Sequence, residues 1–229
     1  MCSSDLIAWR PSIITRAQWG ADETWRDSEV VIAPSVNAVF IHHTATTNNY
    51  SASQGPAQMR SLYAYFTKVK LYKDVAYNFL VDKYGTVYEG RSGCPRDPAL
   101  AVDCDGPSLP AVGAHTAGLN TGTFAISVIG NYDTKAPTKA QSRRILGALS
   151  RTIAWKFAPS GLDATGKTTM TVGSDPLHKS RYNEGDTAVF PTISGHRDVG
   201  RTACPGRYLY PYLPRLRTMV TALMPGARE

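Results

Sequence analysis

The chain of 229 residues lacks any long apolar run, and no stretch approaches the roughly 18 consecutive apolar residues that cross a membrane. It also lacks a repeat of fixed period, which excludes solenoid and propeller architectures. Its basic residues are spread along the sequence, without a dense block interleaved with aromatic side chains, which disfavours a nucleic-acid-binding surface. These absences favour one globular domain, for which the length is sufficient.

Charge and cysteine content indicate where the protein works. The net charge of +7 suits an anionic partner, either nucleic acid or an anionic bacterial envelope polymer, but a basic enzyme with neither partner is an equal alternative. The sequence has four cysteines. Cys94 and Cys104 flank a loop rich in Pro, Asp and Gly, and we interpret them as a disulfide, with two free thiols as the alternative. A disulfide would indicate an oxidising, extracytoplasmic environment.

Residues 1–10 are interpreted as a tail that does not belong to the domain. The segment 2–6 (CSSDL) has no signal-peptide pattern and matches the translation of a common sequencing adapter, so we interpret the tail as a cloning or sequencing artefact. The domain is therefore predicted to span residues 11–229. The missing signal peptide says little about localisation.

Hydrophobic periodicity predicts alternating strands and helices. Short apolar runs predict buried strands at 36–42 and 124–129, and two runs around residues 82–85 predict a hairpin. Helices are predicted over 54–71, 138–157 and 208–223, and residues 158–191 form a long excursion with room for a short hairpin. This alternation predicts a single three-layer α/β domain, whose central mixed, mostly parallel sheet is flanked by helices.

Two segments carry candidate metal ligands. Residues 195–206 place His196 and Cys204 eight positions apart, and the strand at 36–42 leads into the pair His42 and His43. Two imidazoles and a thiolate suit Zn²⁺, and three protein ligands leave a fourth position for water, as in catalytic zinc sites. Adjacent residues of a strand point to opposite faces, so spacing alone does not decide which of the two histidines reaches a metal. The set predicts a zinc hydrolase.

Seven short motifs occur along the chain in a fixed order. They are residues 17–21 (AQWGA), 40–44 (FIHHT), 76–81 (AYNFLV), 85–91 (GTVYEGR), 113–116 (GAHT), 130–132 (GNY) and 195–206 (GHRDVGRTACPG). Together they resemble the peptidoglycan recognition protein family, also called the type 2 N-acetylmuramoyl-L-alanine amidases, a group that includes the T7-type phage lysozymes. The resemblance covers about residues 11–215, nearly the whole chain.

The resemblance implies that His42, His196 and Cys204 hold a Zn²⁺ ion. Relatives without this cysteine bind peptidoglycan but do not cleave it, so Cys204 implies an active enzyme. Catalytic roles are also implied for Tyr77, which lies beside the metal in relatives, and for Thr202, where the phage enzymes have a lysine.

The implied substrate is bacterial peptidoglycan, cut at the amide between N-acetylmuramic acid and the L-alanine of the stem peptide. Some other amidases have a glutamate on the strand at 124–129, but this chain offers Ser127, so no carboxylate base is assigned. In many relatives Gly-Trp follows the residue that matches Arg91 and recognises diaminopimelate in the stem peptide. Many relatives also have a histidine of the substrate groove where this chain has Phe66. Both departures leave the peptide preference open. Substrate-binding positions are predicted at His43, Thr44, Arg91, His115 and Asn120.

Two biological roles fit this reading: a secreted bacterial enzyme that remodels the cell wall, and a phage lysin. The alternative from another class is a non-catalytic module that binds muropeptides. We expect a monomer, secreted or associated with the cell wall, with no nucleic-acid partner and no membrane span.

Overall fold

The computed structural model describes residues 10–94 and 109–224, and a six-stranded sheet forms its centre. The strands are β1 Ile13–Ile14, β2 Ala38–His43, β3 Phe79–Val81, β4 Val87–Glu89, β5 Thr123–Val128, β6 Lys167–Thr171, β7 Thr187–Pro191 and β8 Ile193–Gly195. The order across the six-stranded sheet is β1-β4-β3-β5-β2-β8, in which β3 and β4 are antiparallel and the other neighbours are parallel. The predicted mixed, mostly parallel sheet is therefore confirmed.

Helices cover both faces of the sheet, because side chains alternate along the strands and leave an apolar surface on each side. On one face α2 packs Met59 and Tyr63 against Leu80 of β3. On the other face α3 and α4 pack against Ile41 of β2 and Ile126 of β5. The predicted flanking helices are thus confirmed. Their bounds are α1 Arg16–Trp19, α2 Gly55–Ala64, α3 Lys139–Phe157 and α4 Leu213–Thr221.

The ends of the two helices on the second face follow local sequence signals. Thr138 and Gln141 form a capping box at the start of α3, in which each side chain accepts a hydrogen bond from the other residue's backbone N–H. Such a cap contributes about 1 kcal/mol. The α4 helix begins later than the predicted residue 208. Pro211 lies in a preceding 3₁₀ turn, and Pro214 occupies the first turn of α4, where a proline ring is tolerated.

The two predicted hairpins are present. β3 and β4 pair around residues 82–85, and Gly85 takes a φ of +85°, a conformation that glycine adopts without steric cost. The excursion at 158–191 contains β6 and β7, which form an antiparallel two-stranded sheet of their own. This hairpin brings Phe190 onto Phe40 of β2, with ring centroids 5.3 Å apart, and so covers part of one face of that strand.

Some predictions concern residues outside the described ranges. Residues 1–9 of the tail and Cys104 are among them, so the artefact interpretation and the pairing of Cys94 with Cys104 stay predictions. In the part of the chain that the structure describes, every helix is too short or too polar to cross a bilayer.

Candidate active site

The carboxyl ends of β5, β2 and β8 meet at one edge of the sheet, which is where ligands commonly bind in α/β folds. β2 ends on His42 and His43, and β8 continues directly into a 3₁₀ turn that begins at His196. The next loop returns Cys204 to the same edge, where its carbonyl accepts a hydrogen bond from the backbone N–H of Arg197 at 2.9 Å. Parallel pairing therefore brings together residues that lie far apart in sequence.

His42, His196 and Cys204 offer ligand atoms that all lie within 4.8 Å of one another. The Cys204 Sγ atom is 3.5 Å from His42 Nδ1, and the ring centroids of the two histidines are 4.6 Å apart. A nitrogen and a sulfur bound to one tetrahedral zinc lie about 3.6 Å apart, so the observed separation fits a shared ion. Among the described residues no second His, Cys, Asp or Glu cluster has this geometry.

Burial keeps the three candidate ligands uncharged at neutral pH. Burial, and then the neighbouring His196, lower the pKa of His42 well below its usual value, and burial lowers the pKa of His196 to about 4. Burial raises the pKa of Cys204 to about 12, opposed by a hydrogen bond from the His43 backbone N–H. The imidazoles thus offer free lone pairs, whereas the thiol must release its proton when a metal binds.

His43 occupies a different position from its neighbour. Its Nδ1 accepts a hydrogen bond from the backbone N–H of Tyr132 at 3.1 Å, and its own backbone N–H donates to Cys204 Sγ at 3.3 Å. The structure therefore groups His42, and not His43, with the other two ligand candidates, a choice that spacing alone leaves open.

The loop that carries Cys204 is held by its own polar residues. Thr202 Oγ1 accepts a hydrogen bond from the Cys204 backbone N–H at 3.1 Å, and the Arg197 guanidinium donates to the carbonyl of Ala203. Asp198 accepts hydrogen bonds from the Gly195 backbone N–H, at 2.8 Å, and from the hydroxyl of Tyr210. These contacts fix the path between His196 and Cys204, and Thr202 in addition faces the groove described next.

A groove of about 660 Å³ opens above the cluster, with His196 and Cys204 on its floor. Tyr77 lies in its lining, with its ring 5.0 Å from that of His42 and edge-on to Phe66 at 5.6 Å. Burial, followed by the nearby Cys204, raises the pKa of Tyr77, so its hydroxyl remains a hydrogen-bond donor at neutral pH.

One wall of the groove comes from the helix that begins at Gly55, where the sequence indicates only Phe66 as a groove residue. The lining residues follow positions i, i+3, i+4, i+7 and i+8, which form a single helical stripe and could have been recognised by that spacing. They are Gln58, Ser61, Leu62, Tyr65 and Phe66.

The helix predicted over 54–71 changes its hydrogen-bonding pattern at this wall. α2 ends at Ala64, and a π-helical turn follows over Tyr65–Val69, in which the Lys70 backbone N–H donates to the Tyr65 carbonyl at 2.9 Å. π-turns are frequent at functional sites. Here the turn also brings Lys70 to the groove.

Comparison with known proteins places this site in a family. A profile described as N-acetylmuramoyl-L-alanine amidase matches residues 33–207, which include all three candidate ligands and Tyr77. The chain belongs to the N-acetylmuramoyl-L-alanine amidase family. The resemblance seen in the sequence motifs is thereby confirmed.

The relatives of this chain include proteins named for peptidoglycan recognition and proteins named as amidases. Peptidoglycan-recognition protein SC2 of Drosophila simulans is 27% identical over 201 residues, which span 87% of this chain and 83% of the relative. N-acetylmuramoyl-L-alanine amidase of Homo sapiens is 27% identical over 205 residues, which span 89% of this chain but 28% of the relative. Membership of the family therefore does not by itself separate cleavage from recognition.

The fold is also found in solved structures of the family. The ectodomain complex of peptidoglycan recognition proteins LCa and LCx, crystallised with tracheal cytotoxin, matches with a TM-score of 0.58 and 25% identity. The match covers 90% of this chain and 96% of that one.

Of the residues predicted to contact substrate, two line the groove and Arg91 lines another cavity. Thr44 and His43 line the groove, and Thr44 Oγ1 accepts a hydrogen bond from the Gly130 backbone N–H at 2.9 Å. Arg91 lines a neighbouring cavity of about 430 Å³, where its Nε donates to the Val75 carbonyl at 2.9 Å.

The loop that carries His115 and Asn120 contributes neither side chain to the groove lining. His115 is buried, with its ring 5.5 Å from that of His42. Asn120 Oδ1 accepts hydrogen bonds from the backbone N–H groups of His115 and Thr116, at 2.8 and 2.9 Å. The substrate contacts expected of Arg91, His115 and Asn120 stay predictions.

Gly200 packs directly against the His196 ring, and we expect Gly200→Ala to disturb the cluster. The added methyl group would lie 2.7 Å from His196 Cδ2 and 2.8 Å from Nε2, so the ring must move. We expect a loss of about 1–3 kcal/mol in stability from overpacking, and zinc binding weakened about tenfold or more. Thermal unfolding without metal and zinc titration by chelator competition measure the two effects.

Gly173→Ala is the matched control, because a methyl group there would meet its nearest atom, the Gly118 carbonyl oxygen, at an ordinary 3.5 Å. Unchanged zinc affinity in Gly200→Ala would show that the position of the His196 ring does not matter for metal binding.

Proposed function

We propose that this protein is a zinc-dependent N-acetylmuramoyl-L-alanine amidase, which hydrolyses the amide between N-acetylmuramic acid and the L-alanine of the peptidoglycan stem peptide. The observation that carries the proposal is the largely buried cluster of His42, His196 and Cys204, of which His196 and Cys204 line a groove. Two imidazoles and one thiolate match the three-ligand sets of catalytic zinc sites. A site built only for recognition has no need of three convergent ligands.

The residues around the cluster provide the other parts of an amide hydrolysis. Bound zinc supplies Lewis acidity, which activates water near neutral pH and polarises the scissile carbonyl. Tyr77 keeps its hydroxyl proton and lies beside His42, where it is suited to donate to the oxygen that becomes negatively charged during attack. Thr202 fixes the Cys204 loop through one lone pair of its hydroxyl, and its hydroxyl proton can orient water or substrate. No carboxylate is assigned as a base.

The proposed partner is bacterial peptidoglycan, and the proposed setting is outside the cytoplasm. The net charge of +7 favours association with an anionic envelope polymer. A disulfide between Cys94 and Cys104 would fit secretion or attachment to the cell wall. A monomeric wall-remodelling enzyme and a phage lysin both fit these features.

The alternative function is a muropeptide-binding module without hydrolysis. It is supported by the recognition-protein relatives and by the solved complex that holds tracheal cytotoxin. The aromatic wall formed by Tyr65 and Phe66 would serve binding as well as cleavage.

Chemical analysis of digested peptidoglycan separates the two functions. With purified sacculi and added zinc we expect new L-alanine amino termini to appear together with glycan that has lost its peptides. Treatment with a chelator should reduce the signal to background, and zinc should restore it, whereas magnesium should not. Binding to sacculi without new amino termini would assign the protein to the recognition class.

A further inference from the structure

Three buried polar atoms near His42 make no well-formed hydrogen bond within the described ranges: His42 Nε2, His115 Nε2 and Ser127 Oγ. The Tyr77 hydroxyl also lies close enough to Ser127 to interact with it. His42, His115 and Ser127 are 1%, 6% and 0% exposed, so bulk water does not satisfy these three atoms. Leaving one such group unpaired costs about 1–3 kcal/mol. Three of them in one region therefore point to a shared partner.

The backbone holds the three side chains next to one another. His42 and Ser127 are register partners on the adjacent parallel strands β2 and β5, so both side chains project from the same face of the sheet. The His115 ring stands edge-on to that of His42, with centroids 5.5 Å apart and an interplanar angle of 74°.

The His115 ring is itself held from two sides. Its Nδ1 lies 3.0 Å from Thr116 Oγ1, at hydrogen-bonding distance. Gly113 packs against the opposite part of the ring so closely that a methyl group at this position would lie 2.3 Å from His115 Cδ2. The loop therefore presents Nε2 of His115 in a defined place.

The two nitrogens of His42 have different roles. Nδ1 lies 3.5 Å from Cys204 Sγ and is therefore the atom that faces the candidate metal. With Nδ1 engaged, the neutral ring carries its proton on Nε2 and must donate it elsewhere. Histidines that bind a metal nearly always donate their other N–H to a carboxylate, a backbone carbonyl or a water, and this second bond fixes the ring.

We propose that His115 and Ser127 are positioning residues, which hold the His42 ring through one buried water and thereby strengthen zinc binding. A single water can accept the Nε2 proton of His42 while it hydrogen-bonds to Ser127 Oγ and His115 Nε2, and buried waters typically make about three such bonds. On this proposal His115 contacts the site from beneath and not the substrate. The inference rests on the zinc binding of the proposed function but does not depend on hydrolysis.

The test compares zinc dissociation constants, measured by chelator competition, for the full chain and four variants. We expect Ser127→Ala and His115→Phe each to weaken zinc binding about 10–100-fold, the range for lost outer contacts of a metal ligand. His115→Gln should retain most of the affinity, because its amide reaches the position of Nε2. Ser150→Ala is the matched control, since this buried serine of α3 hydrogen-bonds its own helix at the Gly147 carbonyl.

Thermal unfolding without metal separates positioning from general destabilisation. If zinc affinity is unchanged in Ser127→Ala and His115→Phe, or falls in Ser150→Ala as well, the positioning role is wrong. If the parent protein binds no zinc, this inference and the zinc enzyme fail together. A third outcome is that the parent binds zinc and both variants bind it more weakly, but the parent does not cleave sacculi. In that case the positioning inference stands and only the proposed hydrolysis fails.

Discussion

Cys204→Ser is expected to abolish stoichiometric zinc binding and to lower amidase kcat/KM by about 10³-fold or more, while binding to peptidoglycan persists. A serine hydroxyl does not ionise near neutral pH, so it is a poor replacement for a cysteine whose Sγ lies 3.5 Å from His42 Nδ1 and can bind zinc as a thiolate. Loss of the metal removes several kcal/mol of transition-state stabilisation, and each 1.4 kcal/mol is about a tenfold change in rate. The other residues that line the groove should continue to hold the substrate.

The measurement pairs release of L-alanine amino termini with metal analysis and sedimentation on sacculi. Chelator-treated parent protein is the matched control, because it lacks the metal but keeps every side chain. A variant that loses zinc yet cleaves at the parental rate would remove Cys204 and the metal from the mechanism. A variant that no longer sediments with sacculi would show that the cluster also builds the binding surface.

Tyr77→Phe is expected to lower kcat by about 10²–10³-fold with little change in KM or zinc content. The phenyl ring preserves the contacts with His42 and Phe66, so the substitution removes only the hydroxyl donor. A fall in kcat at constant KM is the signature of an interaction made in the transition state.

Tyr212→Phe is the matched control, because its hydroxyl lies 3.2 Å from Ser142 Oγ on the opposite layer of the domain. We expect it to keep the parental rate. If Tyr77→Phe raised KM and left kcat unchanged, Tyr77 would be a substrate contact and not a donor to the developing charge.

The elements predicted best are those with strong local signals. β2 and β5 are dense apolar runs, and α3 combines an apolar stripe with a capping box at Thr138, so their positions follow from the sequence. The π-turn over Tyr65–Val69 was not predicted, because a change from i+4 to i+5 hydrogen bonds leaves no periodicity of its own. The start of α4 is also not fixed by the sequence, because either Pro211 or Pro214 could occupy the first turn of the helix.

Some residues of the candidate site can likewise be predicted from the sequence, and others cannot. Ligand types and spacing indicate His196 and Cys204 but leave the choice between His42 and His43 open, and the family resemblance alone implies His42. In the structure this choice depends on which face of β2 meets the returning loop. The sequence also leaves open whether His115 contacts ligand or has a structural role in its loop, because a loop sequence does not reveal which side folds inward; in the structure His115 is buried. Long-range packing decides both questions.

The candidate ligands His42 and Cys204 are separated by 162 positions, yet their side chains are in contact. An ion bound by both residues would close more than two thirds of the chain into one loop. Folding and metal supply would then be linked, because free zinc at about 100 times its dissociation constant stabilises the folded state by about 2.7 kcal/mol. The lifetime of such a protein, and not only its activity, would depend on the zinc content of its surroundings.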